Sequence, residues 1–502
     1  MAVDAAQPIP EGLVARLAEA VGGWDPELET VAQAVYDAQS GEEFYDAERA
    51  VATVLRARAD KIVGVILEHR AASPEFVEPA KQAAFAQAEA EGVKLKSHGR
   101  RPTQVRLLGG SVVKFRTLQM FPVAPKRLGR KKGVGRRGKA GAGLYPALAV
   151  LGIAGRSTPA LRGEVARELA EANSVSVARA SLEERGLAVP HKVALRLAYL
   201  LGERALEARA ERIDAVLRST PPSTGEFAGK RIVVSCDGGR LRVRVNPKAG
   251  RRNAKTRHRR YKAPWREPKI LTIYVVDDKG QRDRRFRTFL DGTMGDADDT
   301  LRLMVGHLRL LGAHQAEHLT LVGDGAAWIW GRAEQLREGI GIPPGRFAEV
   351  VDYYHAAEHL YEVAAIPKNW DAEQRQRWVK RARKHLDAGR IDRVVEEIQS
   401  LRVGRRGKAV GKCIGYFQTH ASRMAYADFR AAGITIGSGA VESGVRRVVN
   451  LRMKGNSTYW LEEHAEEVLH LRSHLRAGRW DDMVRAAIRR PVWQPTSTSA
   501  KT

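Results

Sequence analysis

Apolar residues recur at different periods along this chain, and each change of period marks a boundary. Up to about Lys96 they keep helical spacing, as in Val51-Val54-Leu55 and Ile62-Ile66-Leu67, on a net acidic background rich in Ala and Glu. Residues 1–97 are therefore expected to form a helical domain without visible chemistry, a module for packing or self-association. QVRLLGG and SVVKFRTLQMF then flank the Gly109-Gly110 pair, with basic residues between apolar ones, as in a hairpin. KRLGRKKGVGRRGKAGAG follows, so 98–145 reads as a basic hairpin and linker. The Gly-rich run is either solvated or tracks phosphates. In 146–220, VARELAEANSVSVARASLEERG reads as helix, break, helix: Leu161, Val165 and Leu169 share a face, Asn173-Ser174 can turn and cap, and Val177 and Leu182 resume the pattern. That spacing fits a helix-turn-helix, and also any helical hairpin. Pro221-Pro222-Ser223-Thr224-Gly225 opposes helix and sheet alike and marks a domain boundary.

Beyond it the pattern turns to strands. RIVVSCDGGR reads as a buried strand delivering Asp237 at its end, followed by a Gly-Gly turn and an alternating second strand, LRVRV. ILTIYVVDD and RFRTFLDG supply further strands, LRLMVGHLRLLG a helix, and HLTLVGDGAAWIW a strand ending in Asp324. The class expected is α/β with a mixed sheet. A carboxylate at one strand end can converge with another from a neighbouring strand, while the following Gly admits a close approach. Each Asp-Gly taken alone is as well explained as the start of a turn. A third candidate is Glu442 in ITIGSGAVESGVRRVVNLRMKGNSTYW, where Gly437-Ser438-Gly439 breaks the chain and a helix sets Glu442, Arg446 and Val449 on one side. The same spacing suits a surface Glu–Arg pair.

Charge changes the picture. Lys and Arg number 85 against 58 Asp and Glu in 502 residues, a formal net charge of +27, so nucleic acid is the first partner to consider. No apolar run approaches the roughly 18 residues of a spanning helix, and MAVDAAQPIP lacks the pattern of a secretion signal. No membrane association is expected, and the cytoplasm is the expected location. With only Cys236 and Cys413, neither a disulfide framework nor a structural zinc site is expected.

From about His98 to Met483 the chain resembles the bacterial insertion-sequence DDE transposases, in particular the Kra group, which is related to Mutator-like elements. The matching blocks are SCDGGR, LVGDGAAWIW, VVDYYHAAEHL, RMAYADFRAAGITIGSGAVESGVRRVVNLRMKGNSTYW and LHLRSHLRAGRWDDM. The resemblance implies a ribonuclease-H-like catalytic core made of 226–351 and 431–485, with Asp237 on its first strand, Asp324 after its fourth and Glu442 on a late helix. It also accounts for the long stretch between Asp324 and Glu442, which exceeds an ordinary connection. An all-helical insertion domain, 352–430, occupies that place, and 486–502 is left as a flexible tail. Asp352-Tyr353-Tyr354-His355 is similar to the family's Asp-x-x-His motif. Asp352 and His355 either act beside the scissile phosphate or tie the insertion to the core. Many relatives carry Cys pairs in the region corresponding to His98 through Phe121, and their lack here counts against end recognition by a zinc finger.

The activity implied is Mg2+-dependent cleavage and joining of DNA, with two ions per site held by Asp237, Asp324 and Glu442 and Mn2+ expected to substitute. Water would release a 3′-hydroxyl at the element end, and that hydroxyl would attack target DNA. Expected partners are double-stranded DNA with terminal inverted repeats, target DNA, and a second copy or larger assembly of the chain on the bacterial nucleoid. Candidate DNA contacts are Arg251, Arg252, Arg257, Arg259 and Arg260, in a basic segment interleaved with Tyr261 and Trp265, and Arg446, Arg447, Arg452, Lys454 and Trp460 near Glu442. Core packing is the competing role for Trp460. Two other functions stay open: a nuclease of the same fold that cuts without joining, and a catalytically silent DNA-binding descendant.

Overall fold

The computed structural model describes residues 9–22, 26–123, 143–219, 225–245, 261–401, 407–456 and 458–489. Two compact units are present, one of residues up to Arg204 with those from Val484, the other Ala205–Met483. No helix among the described residues is long and apolar enough to cross a membrane.

The first unit opens with helices α1 (Glu11–Val21), α2 (Pro26–Asp37), α3 (Gly41–Ala72) and α4 (Pro74–Ala90). A hairpin of β1 (Leu95–Arg106) and β2 (Val112–Pro122) follows, paired antiparallel. With no cysteine to brace it, the hairpin leans on α3. Its turn places Gly110 at φ 97°, and the N–H groups of Gly109 and Ser111 both donate to the Asp60 carboxylate at 2.9 Å. Leu67 and Ala71 of α3 pack with Val105, Leu107 and Phe115. Then come α5 (Pro146–Val150), α6 (Pro159–Glu171), α7 (Val175–Glu184) and α8 (His191–Arg218). Leu161, Val165 and Leu169 are buried as their spacing predicts, and Ser174 caps α7 by accepting from the Val177 N–H at 3.1 Å. Val177 itself is 55% exposed, because α7 turns Ala178 and Leu182 inward instead.

The second unit is built on a five-stranded mixed sheet. Its middle strand, β3 (Arg231–Gly238), is the apolar run that ends in Asp237. The LRVRV segment does not join this sheet. Its Leu241–Arg242 (β4) pairs with Trp265–Arg266 (β5) in a separate two-stranded sheet. β6 (Lys269–Val276) pairs antiparallel with β3, and β7 (Phe289–Thr293) antiparallel with β6. After α9 (Ala297–Leu310), β8 (His318–Gly323) pairs with the other side of β3, now parallel. After α10 (Ala327–Trp330) and α11 (Ala333–Ile340), β9 (Phe347–Val351) adds parallel to β8. The order is β7-β6-β3-β8-β9. Continuous apolar strands such as IVVSC and LTLVG suit it, because helices cover both faces of such a sheet.

The helical stretch expected between the two parts of the core comprises α12 (Tyr353–Ala364), α13 (Ala372–Asp387), α14 (Ile391–Gln399), α15 (Gly407–Thr419) and α16 (Tyr426–Ala431) among the described residues. α17 (Gly439–Val445) then returns to the sheet and runs into a π-turn, Arg446–Asn450. Gly444 lets α17 lie close: a Cβ there would sit 3.2 Å from Leu290 Cδ2 and 3.3 Å from Thr272 Oγ1. α18 (Glu462–Arg476) packs on β7, and α19 (Trp480–Ile488) runs past the expected start of the tail at 486.

Candidate active site

The ends of β3, β8 and β9 bring acidic residues into line. Parallel pairing sets Ser235 of β3 beside Val322 of β8, and Gly323 of β8 beside Val351 of β9. Continued outward, the same registers put Asp237, Asp324 and Asp352 in one row. α17, packed on β3 and β6, brings Glu442 to the same end.

The electrostatics record this convergence. Burial pushes the Asp237 carboxyl up to about 6, opposed by the Gly238 N–H donating to it at 2.6 Å; the charges of Asp324 and Glu442 raise it further, and His355 lowers it. Among the described residues, Asp237, Asp324 and Glu442 form no ion pair with Lys or Arg. Asp324 caps its own turn, accepting from the Ala326 N–H at 2.9 Å, while its carbonyl accepts from Trp330 Nε1 at 2.6 Å. Glu442 is exposed and accepts from the Ser438 hydroxyl at 3.3 Å. Carboxylates without a cationic side-chain partner offer hard oxygen donors of the kind a divalent cation takes.

Asp352 is engaged differently. It is 1% exposed, and its Oδ1 accepts from the N–H groups of Tyr354 at 2.6 Å and His355 at 3.0 Å, capping α12. Its Oδ2 accepts from the Ser438 N–H, and the Tyr353 N–H donates to the Ile436 carbonyl at 2.9 Å. Asp352 thus ties the start of the helical stretch to the chain entering α17. His355 receives only the backbone cap from it, and its ring lies 3.7 Å from the Glu358 carboxylate on the same helix.

The π-turn after α17 changes the expected spacing. The Arg446 N–H still donates to the Glu442 carbonyl, so these two share a side, but the Leu451 N–H donates to the Arg446 carbonyl, a five-residue step, and Val449 leaves that side. Val449 is buried, Arg446 is exposed, and no ion pair joins Arg446 to Glu442. Wider turns leave carbonyls unpaired, and Arg472 of α18, fully buried, donates to those of Val448 at 2.6 Å and Arg447 at 2.5 Å.

Of the expected DNA contacts, Arg251, Arg252, Arg257, Arg259 and Arg260 lie outside the described residues, as do the Gly-rich basic run and Pro221 to Thr224. Lys454 is exposed, and Arg447 is half-buried, its guanidinium pKa lowered by burial and by Arg282 and Arg476. Trp460 is buried, donating Nε1 to the Met453 carbonyl at 3.0 Å beneath the Arg452 guanidinium, 5.2 Å from its ring centroid. Its ring packs inside the protein.

Tyr416 of α15 was not foreseen. Its ring presses on Gly325, where a Cβ would come within 2.2 Å, and its buried hydroxyl has no hydrogen-bond partner among the described residues. Burial, then Asp324 and Asp352, push its pKa up. Only the tertiary fold brings it beside Asp324. Among the described residues, two groups gather potential metal ligands within 4.8 Å of one another, Asp291, His470 and His474, and His359, Glu362 and Cys413; Asp237, Asp324 and Glu442 do not form such a group. Asp291 is already occupied, accepting from Arg209 at 3.1 Å and from His307 and His470 at 2.9 Å each.

Compared with protein-family models, with curated proteins and with solved structures, the chain has no significant match.

Proposed function

We propose that this chain is a DDE transposase with a ribonuclease-H-like core, binding the ends of an insertion sequence, cutting there and joining the freed 3′-hydroxyls to target DNA. The observation that carries the reading is the convergence of Asp237, Asp324 and Glu442 at one end of the sheet, where the β3–β8 register sets the two Asp side by side and α17 packs on β3 and β6. The strand order, an antiparallel run β3-β6-β7 on one side and β8 and β9 added parallel on the other side of β3, supports the fold reading. Asp237, Asp324 and Glu442 would hold the divalent cations, which supply activation of the attacking oxygen and stabilisation of the departing one.

Around that set, Asp352 fixes the start of α17 and so the reach of Glu442. His355 is a proposed auxiliary group whose influence is felt at Asp237. In the first step the P–O3′ bond at the element end breaks as a water oxygen bonds to phosphorus, leaving a 3′-hydroxyl and a 5′-phosphate. In the second, that 3′-oxygen bonds to a target phosphorus and displaces a target 3′-oxygen. Arg446, Arg447, Arg452 and Lys454 are proposed backbone contacts, as are Arg251, Arg252, Arg257, Arg259 and Arg260, and the protein is proposed to act as a dimer or larger assembly on nucleoid DNA.

Incubation with labelled terminal repeats, target plasmid and Mg2+ tests the reading. Joined products that vanish in Asp324→Asn are expected. Nicks without joining would indicate a nuclease, retarded but uncut DNA a silent binder, and joining by Asp324→Asn would overturn the mechanism.

A further inference from the structure

Just past Asp237, the chain builds a surface that none of these steps uses. Gly238 and Gly239 turn it, and Arg240, Leu241, Arg242, Val243 and Arg244 then alternate. Leu241 and Val243 are 0% and 2% exposed, so the three arginines stand on the opposite side by the two-residue period of an extended chain. Aromatic rings from two other segments lie among them. The Arg242 guanidinium is 4.8 Å from the ring centroid of Trp265 and 6.0 Å from that of Tyr459; Arg240 is 5.8 Å from Trp265, and Arg244 is 4.4 Å from Tyr261. Tyr261 and Tyr459 meet edge to face at 5.4 Å. Pairing of Val243 with Trp460 and of Val245 with Lys262 fixes the three segments to one another. Trp265 and Tyr261 are nonetheless 46% and 40% exposed.

We infer that this ladder of arginines and aromatic rings binds single-stranded DNA, its phosphates on the arginines and its unpaired bases stacked on Trp265 and Tyr261. Exposed rings close to guanidinium groups offer faces to which a base of any identity can stack, and the cations follow the backbone. A duplex keeps its base faces inside its own stack, so it could use the arginines but not the rings. A protein partner could also use aromatic and Arg anchors, but the chain's net charge of +27 favours a polyanion. The inference rests on the proposed function only for the origin of the strand: DNA opened beside the carboxylates would reach the ladder first.

The test is fluorescence anisotropy of the full chain in EDTA, so that no cleavage enters, with a labelled oligothymidine of about 15 nucleotides and a blunt duplex of like length. Trp265→Ala and the double variant Tyr261→Ala/Tyr459→Ala are each expected to weaken oligothymidine binding about tenfold while duplex binding changes less than about twofold. Trp265→Phe, which keeps a ring, should restore most of the affinity, and circular dichroism melts check that each variant is folded. Equal losses on both DNAs, unchanged oligothymidine affinity, or no oligothymidine binding by the unaltered chain would each overturn the inference. Ring-dependent binding without Mg2+-dependent cutting would leave it standing while the proposed function fell; cutting with binding indifferent to the rings would do the reverse.

Discussion

The Asp352 carboxylate accepts the backbone N–H of Ser438, 86 residues further along the chain, at the entry to the helix that carries Glu442. The other oxygen caps α12. Asp352→Asn separates the two roles, since its amide oxygen can still cap α12 but its NH2 must then face the Ser438 N–H. The variant is expected to melt within a few degrees of the original while cleavage at saturating Mg2+ falls on the order of a hundredfold, a loss typical of misplaced reacting groups. Asp352→Ala, which removes cap and tie together, should cost about 3–5 kcal/mol of stability in urea unfolding.

Asp237 sets a pH dependence. Because its folded pKa is raised to about 6, the native state holds a proton the unfolded chain has released, and stability falls as pH rises from about 4 through 6. Asp237→Asn keeps an acceptor for the Gly238 N–H and removes this cost, so without divalent ions it should gain about 1–2 kcal/mol at pH 7, after allowance for solvent screening. Apparent Mg2+ affinity should fall roughly tenfold for each pH unit below about 6, because the ligand must lose its proton to bind. Calorimetric titration across pH 5–8 reads both the slope and its loss in the variant.

The buried network around Asp291 predicts acid lability at a different pH. His307 and His474 are lowered by burial, His474 strongly, so the unfolded chain takes up protons first and stability is lost as pH falls below about 6.5. The Asp291 carboxyl is held well below the usual range despite its burial, by Arg209 and His470 first and then by hydrogen bonds from His307 and His470, so its contribution persists to more acid pH. His474→Phe, set between Phe289 and His470, is expected to flatten the stability profile between about pH 5 and 6.5. Asp291→Asn should destabilise by about 2–4 kcal/mol, because the buried Arg209 guanidinium then keeps only Glu466 as a charged partner. Urea midpoints at several pH values measure both.

Arg472→Met removes the donors to the carbonyls of Arg447 and Val448 while filling much of the same space. Two buried acceptors are then left unpaired, for an expected loss of about 2–5 kcal/mol. Hydrogen exchange should show faster opening across Arg446–Asn450 than across β3.

Asp237 and Asp324 were legible because each ends an uninterrupted apolar run, which a strand buried on both faces requires. Their shared row was not, since register between β3 and β8 is set by pairing across more than eighty residues and no local pattern encodes it. Glu442, Arg446 and Val449 looked like neighbours on a regular helix; the first two keep that spacing, while the π-turn and its buried Arg472 are long-range choices that break the 3.6-residue count before Val449. LRVRV alternated as expected of a strand, but the pattern carries no information on which partner it takes, and it chose Trp265–Arg266 rather than β3. Trp460 shows the limit for aromatic residues, whose role depends on whether a tertiary neighbour supplies an acceptor, here the Met453 carbonyl.

The tie at Asp352 and Ser438 also bears on chain length. The detour between them leaves the sheet and returns to it within one hydrogen-bonded contact, so in entropic terms it is a loop whose ends are already closed. Closure entropy grows only logarithmically, about 0.6 kcal/mol for each doubling of loop length. Helices can therefore be added to or taken from the far part of the detour at little thermodynamic cost to the position of Glu442.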